Sequence, residues 1–195
     1  MPTLLEQHPD DVDWFGERLA AMESVFGKSD DIVLHAVVPF EFGFEAGGRA
    51  DVVQFKHYLD GTVYATCDLM CREEQVTNKL GVYELAICHR SDEDWGAAVV
   101  SALAYYTLDA QLQPGHTLDL GPSAPKASAV SAFLFDELVS FEISGRPAGV
   151  LVCIGITTDE LSACRQGRRD AVLKGLKSNG IYPFTDLGRG SVLGG

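Results

Sequence analysis

Apolar side chains recur three or four residues apart near the start of the chain: Val12, Phe15, Leu19, Met22 and Phe26 fall on one stripe of a helix. Pro9-Asp10 suits its start, Asp10, Asp11 and Asp13 suit its positive end, and Gly27 stops it. The opposite face is charged, so this helix needs a sheet or a second helix to pack on. The period then changes. Ile32 to Val38 is a β-branched and apolar run ended by Pro39, and Asp51 to Leu59, Val63 to Asp68 and Val82 to His89 read as further strands. Asp60-Gly61 is a hairpin signal, because glycine accepts the positive φ of a tight turn. The polar stretch from Met70 to Leu80 reads as a loop.

A second helix is predicted after Ser91, which stands at capping-box spacing from Asp94. Trp95, Val99, Ala102, Leu103 and Tyr106 form its apolar stripe, and Ala97, Ala98 and Ala104 let it approach a sheet closely. Pro114-Gly115 is a turn, Gly121 to Ala129 a long loop, and Ala132 to Leu138 and Ala148 to Ile156 two more strands. Thr157 opens a third helix, with Glu160 completing a capping box. That helix breaks near Gly167, resumes from Arg169 to Lys177 and closes at Asn179-Gly180. Strands in a run with helices before, between and after them predict an α+β fold: a mixed, largely antiparallel sheet with helices packed on one face.

Length and charge narrow the classes. The 195 residues fit one domain, and 46% hydrophobic with 22% charged residues is a globular composition. No apolar run approaches the roughly 18 residues of a membrane span, so no membrane partner is expected. The N-terminus turns acidic without a basic region, unlike a secretory signal, and the odd count of five cysteines reads as reduced thiols. A cytoplasmic protein is expected. The net charge is −13, concentrated in residues 1–149, with 24 acidic and 9 basic side chains; residues 150–195 carry 4 and 6. Such a surface repels phosphate backbones, which argues against nucleic acid, and it draws in a basic partner.

Candidate chemistry is sparse. Cys67 and Cys71 straddle a strand end with no second pair at metal-finger spacing, and adjacent Cys88 and His89 point to opposite faces of a strand. No metal or cofactor site is expected. Gly188-Arg189-Gly190-Ser191 imitates a phosphate loop, but four residues are too few for the helix that must follow it. His116, with Asp119 or Glu84, is the one conceivable hydrolase set. Glu84 itself is expected on the solvated face of its strand, and Cys153 in a buried one.

Five segments in order resemble the Suppressor of Fused domain family. They are Tyr83-Glu84-Leu85 on a strand, the helix from Trp95 through Leu103-Ala104-Tyr105, and Gly115-His116-Thr117 after it. The junction Gly155-Ile156-Thr157-Thr158-Asp159-Glu160-Leu161 and the closing turn Thr185-Asp186-Leu187-Gly188-Arg189-Gly190 complete the set. The resemblance runs from about residue 32 to 193, behind an N-terminal helix in 1–31, within one SUFU-like domain over 1–195. Thr66 to Cys71 departs from the animal pattern. The resemblance implies a non-enzymatic single lobe that holds another protein; short members resemble bacterial immunity proteins that neutralise a toxin. A basic toxin is thus the expected partner, with an extended peptide added to a sheet edge as the alternative. Contact residues are expected at Asp136 and Glu137, at the exposed end of the Phe133-Leu134-Phe135 strand, and at Asp186 and Arg189, paired with each other across the final turn.

Overall fold

A computed structural model describes residues 14–30, 33–91 and 94–194. The predicted helix start at Pro9-Asp10, with Asp11, Val12 and Asp13, lies outside these residues, as does Ile32. Helix α1 (Trp14–Phe26) leads into seven strands: β1 (Val33–Leu34), β2 (Val52–Tyr58), β3 (Gly61–Thr66), β4 (Val82–His89), β5 (Thr117–Asp119), β6 (Val130–Ile143) and β7 (Arg146–Thr157). Between β4 and β5 lie α2 (Trp95–Leu103) and α3 (Tyr106–Asp109); α4 (Thr158–Ala163) and α5 (Arg169–Ser178) follow β7. The strands form one sheet in the order β1-β2-β3-β4-β7-β6-β5, with β4 and β7 parallel and every other pair antiparallel.

Helices cover both faces of this sheet, not the one face expected. The reason lies in the central strands. Along β4, Leu85 and Ile87 point one way and Ala86 and Cys88 the other, and all four are fully buried. A sheet apolar on both faces needs two covers. Met22 and Phe26 of α1, Leu161 of α4, and Val172 and Leu176 of α5 close the Ala86 side. Ala97, Val100 and Leu103 of α2 close the Leu85 side.

Several local expectations change for identifiable reasons. Among the described residues of the Ile32 to Val38 run only Val33 and Leu34 are strand, because the Asp51 carboxylate captures the Ala36 N–H (2.8 Å) and draws the chain off the sheet. Val37 is left fully exposed. Two 3-10 turns, Phe40–Phe42 and Phe44–Ala46, follow it. At the α2 start the N-cap is Asp94 and not Ser91, it makes no side-chain cap bond, and Ser91 Oγ lies 3.2 Å from His89 Nδ1. At α4 the Thr157–Glu160 box does form. Gly167 (φ 80°) breaks the helical path and Gly180 (φ 65°) follows its end.

The β2–β3 hairpin also assigns its glycine differently. Positive φ falls on His57 (70°) and Leu59 (54°), whereas Gly61 is the first residue of β3. Glycine is required there by packing, since a Cβ on Gly61 would stand 2.4 Å from Phe184 Cε1 and 2.8 Å from the His89 carbonyl oxygen. Gly61→Ala is expected to destabilise the fold by about 1–3 kcal/mol through this overpacking. Chemical denaturation measures it, and an unchanged midpoint would refute the packing role.

Candidate functional site

The four contact residues expected from the sequence do not meet. Asp136 and Glu137 lie midway along β6, half-buried and on opposite sides of the sheet. They do not mark an exposed strand end, because β6 continues to Ile143 through a register shift between Glu137 and Val139. Glu137 pairs with Lys79 at 3.4 Å. Asp136 stands near the Tyr182 hydroxyl, whose pKa rises through burial and this neighbouring charge. Asp186 is exposed and accepts the Gly188 N–H (2.8 Å), so it does not pair with Arg189. Arg189 turns inward to Glu160 instead.

The hydrolase set disperses as well. His116 is exposed, with Nδ1 accepting the Gln113 N–H at 3.3 Å, and Asp119 pairs with Arg165 at 3.1 Å. Glu84 is fully buried, contrary to the expectation of a solvated face. Burial also pushes the thiols of Cys67, Cys88 and Cys153 upward, away from the reactive thiolate. Among the described residues, no three His, Cys, Asp or Glu side chains gather as metal ligands.

What the fold does assemble is a groove. Helix α2 is apolar on two sides. Ala97 and Val100, with Ala104 just past its end, bury themselves on the sheet, while Trp95, Val99, Ala102 and, at the start of α3, Tyr106 form a second stripe at helical spacing along an open groove of about 450 Å³. The stripe read from the sequence is thus largely the outward one. Leu118 and Leu120 form the opposite wall and Phe44 (56% exposed) stands at its rim. Leu118 belongs to β5, the last strand of the sheet. The carbonyl of His116 and the N–H of Leu120 bond to β6, so the antiparallel alternation turns the backbone groups of Thr117 and Asp119 toward the free edge.

The sequence model of the Suppressor of fused protein (SUFU) family matches residues 49–190. The chain belongs to the SUFU family. No curated protein matches it in sequence. In fold it is similar to a chain of the Sufu–Fu complex crystal structure, with a TM-score of 0.71 and 15% identity over 92% of each chain. A Neisseria gonorrhoeae FA 1090 protein, described as a suppressor of fused homolog, superposes with a TM-score of 0.64 and 17% identity, covering 92% of this chain and 97% of the other. Drosophila Suppressor of Fused gives a TM-score of 0.50 and 18% identity, over 68% of this chain and 39% of that longer one. No helix among the described residues is long and apolar enough to cross a membrane.

Within the SUFU match lie two buried carboxylates that shape the molecule around the groove. Glu160, on α4, accepts both terminal nitrogens of Arg189 (2.7 and 2.6 Å) and the N–H groups of Thr157 (2.9 Å) and Val192 (2.8 Å). Arg189 also donates to the carbonyls of Gly155 (2.7 Å) and Gly190 (2.8 Å). This bidentate pair fastens the closing turn onto the end of β7. Glu84 accepts the Thr66 hydroxyl (2.6 Å) and the N–H groups of Leu69 and Met70 (both 3.0 Å), with Arg18 of α1 at 3.6 Å. Burial raises its pKa, while Arg18 and these donors pull against it. Arg18 lies outside the matched range, so the family segment supplies this carboxylate and the N-terminal helix its cation.

Burial pushes the Glu160 carboxyl up, but Arg189 and the two N–H groups hold it below the ordinary value of 4.5. Its contribution is therefore complete above the unfolded glutamate range and is lost as pH falls through the lower folded value. Arg189→Met, which strands a buried charge, is expected to cost about 3–5 kcal/mol. Glu160→Gln should flatten the acid side of the stability–pH curve. Urea midpoints across that range test both, and an acid limb unchanged in Glu160→Gln would refute the assignment.

Proposed function

We propose that this SUFU-family domain works by holding an extended segment of another protein along β5, over the groove of α2. The observation that carries the reading is the outward stripe of Trp95, Val99, Ala102 and Tyr106 beside a sheet edge that no other strand pairs among the described residues. Trp95, Val99 and Ala102 are half-buried while Tyr106 and Phe44 are exposed, and apolar surface left open to solvent in this way marks binding surfaces. The free backbone groups of β5 would give affinity, and the groove would select side chains. The similar fold solved as a Sufu–Fu complex supports a protein partner. The reading assigns no residue a catalytic role.

A finer form makes the held protein a toxin and this chain a cytoplasmic immunity protein. Its support is the net charge of −13, which would speed capture of a basic partner. Co-expression with a toxin encoded beside it tests this form, and undiminished killing would refute it.

Val99→Asp places a charge in the middle of the groove without disturbing the sheet-facing residues. Binding of the partner captured from native cells is expected to weaken by at least about 2 kcal/mol, with the unfolding midpoint held. Equal affinity for the variant, measured by calorimetry, would sink the groove as the contact surface.

A further inference from the structure

We infer that the segment held at β5 alternates apolar with acidic side chains, the acidic ones meeting Arg165 and Arg169. This rests on the strand-addition reading above and adds the chemistry of the partner. Successive residues of an added strand point to opposite faces. On one face they meet the groove, where Leu118 and Leu120 lie. On the other they meet the segment between α4 and α5. There Arg165 reaches Asp119 at the end of β5, at 3.1 Å. Arg169 lies against the chain just before β5: a Cβ on Gly115 would stand 1.9 Å from its Nη1. Two guanidinium groups therefore bracket the strand on a single face. Arg168, between them in sequence, is exposed and donates to Gln166, and no carboxylate lies within ion-pair distance of it among the described residues.

The charges already present do not remove this preference. Asp119 and Asp170 pair with Arg165 and Arg169, but all four side chains are between 44% and 87% exposed, so the pairs are weak and exchangeable. With Arg168 exposed between Arg165 and Arg169, the segment beside this edge carries three guanidinium groups in a chain whose net charge is −13. A carboxylate on the incoming strand would lie among these guanidinium groups, whereas an ammonium group would be repelled by them.

The test uses fluorescein-labelled synthetic peptides of eight alternating residues, valine with glutamate, glutamine or lysine, and a glutamate version with a central proline, read by fluorescence anisotropy with the full chain. The expected order of affinity is glutamate, glutamine, lysine, with roughly tenfold between the ends and a smaller spread at high salt. The proline peptide is expected not to bind. The double variant Arg165→Gln, Arg169→Gln should bring the glutamate peptide to the affinity of the glutamine one, leaving the latter and the melting temperature unchanged. Glutamate and lysine peptides binding equally, both sensitive to proline, would overturn the charge assignment while leaving strand addition standing. Binding by none of the peptides, or binding indifferent to proline, would overturn strand addition and this inference with it. Concentration-dependent self-association, lost in Val99→Asp, would identify a second copy of the chain as the occupant and also overturn the inference.

Discussion

The parallel pairing of β4 with β7 is the constraint from which the architecture follows. Parallel neighbours cannot be joined by a tight turn, so everything between them must cross over and return. That crossover carries α2, α3, β5 and β6. It drops α2 on one face and sends β6 and β5 out to the far side of β7, where β5 ends the sheet. Because β4 and β7 are buried on both faces, a second layer is needed opposite α2, and α1, α4 and α5 supply it. The groove is a by-product of this arrangement: it opens where α2, seated on the middle of the sheet, stops short of the edge strand.

The ion pairs act on a different link of the chain. Glu160 and Glu84 each take one buried charge out of water, which is unfavourable by itself and tolerable only with a full set of donors. Both have such a set, and in both cases it draws remote segments together. Glu160 joins the α4 start to the chain end; Glu84 joins β3, the loop after it and α1. Apolar packing alone would accept small slips of these segments, whereas directional bonds at 2.6 to 3.0 Å would not. Specificity of position is the use these charges serve best, since their net gain in stability is small.

How much of this was legible beforehand depended on whether the governing interaction was local. The Thr157–Glu160 box, the break at Gly167 and the limits of β4 follow from neighbours in sequence, and all stand as expected. The burial of Glu84 depends on donors from Thr66 and Met70 and a cation from Arg18, which the strand pattern around it does not announce. The partner of Arg189 is hidden for the same reason: Asp186 is near in sequence, Glu160 near in space. The stripe on α2 is legible in the sequence but its cover is not, because a periodicity of 3.6 shows that a face is apolar and not what covers it. Ala97, Val100 and Ala104 form the companion stripe, and two apolar stripes along the one stretch from Trp95 to Tyr106 are the available signal of a binding face.

Charge shows most clearly why placement outranks totals. A net of −13 reads as a preference for basic partners, and during diffusional approach the whole-molecule field does favour them, most strongly at low ionic strength. Once the partner is docked the nearest side chains dominate, and at the edge of β5 these include Arg165, Arg168 and Arg169 beside Asp119 and Asp170. The two influences need not agree. A partner with a basic body and an acidic, strand-forming segment satisfies both: its body is drawn in by the acidic residues 1–149, and its segment is seated by the arginines. A partner uniformly basic would arrive quickly and seat poorly at this edge, and one uniformly acidic would seat well but arrive slowly.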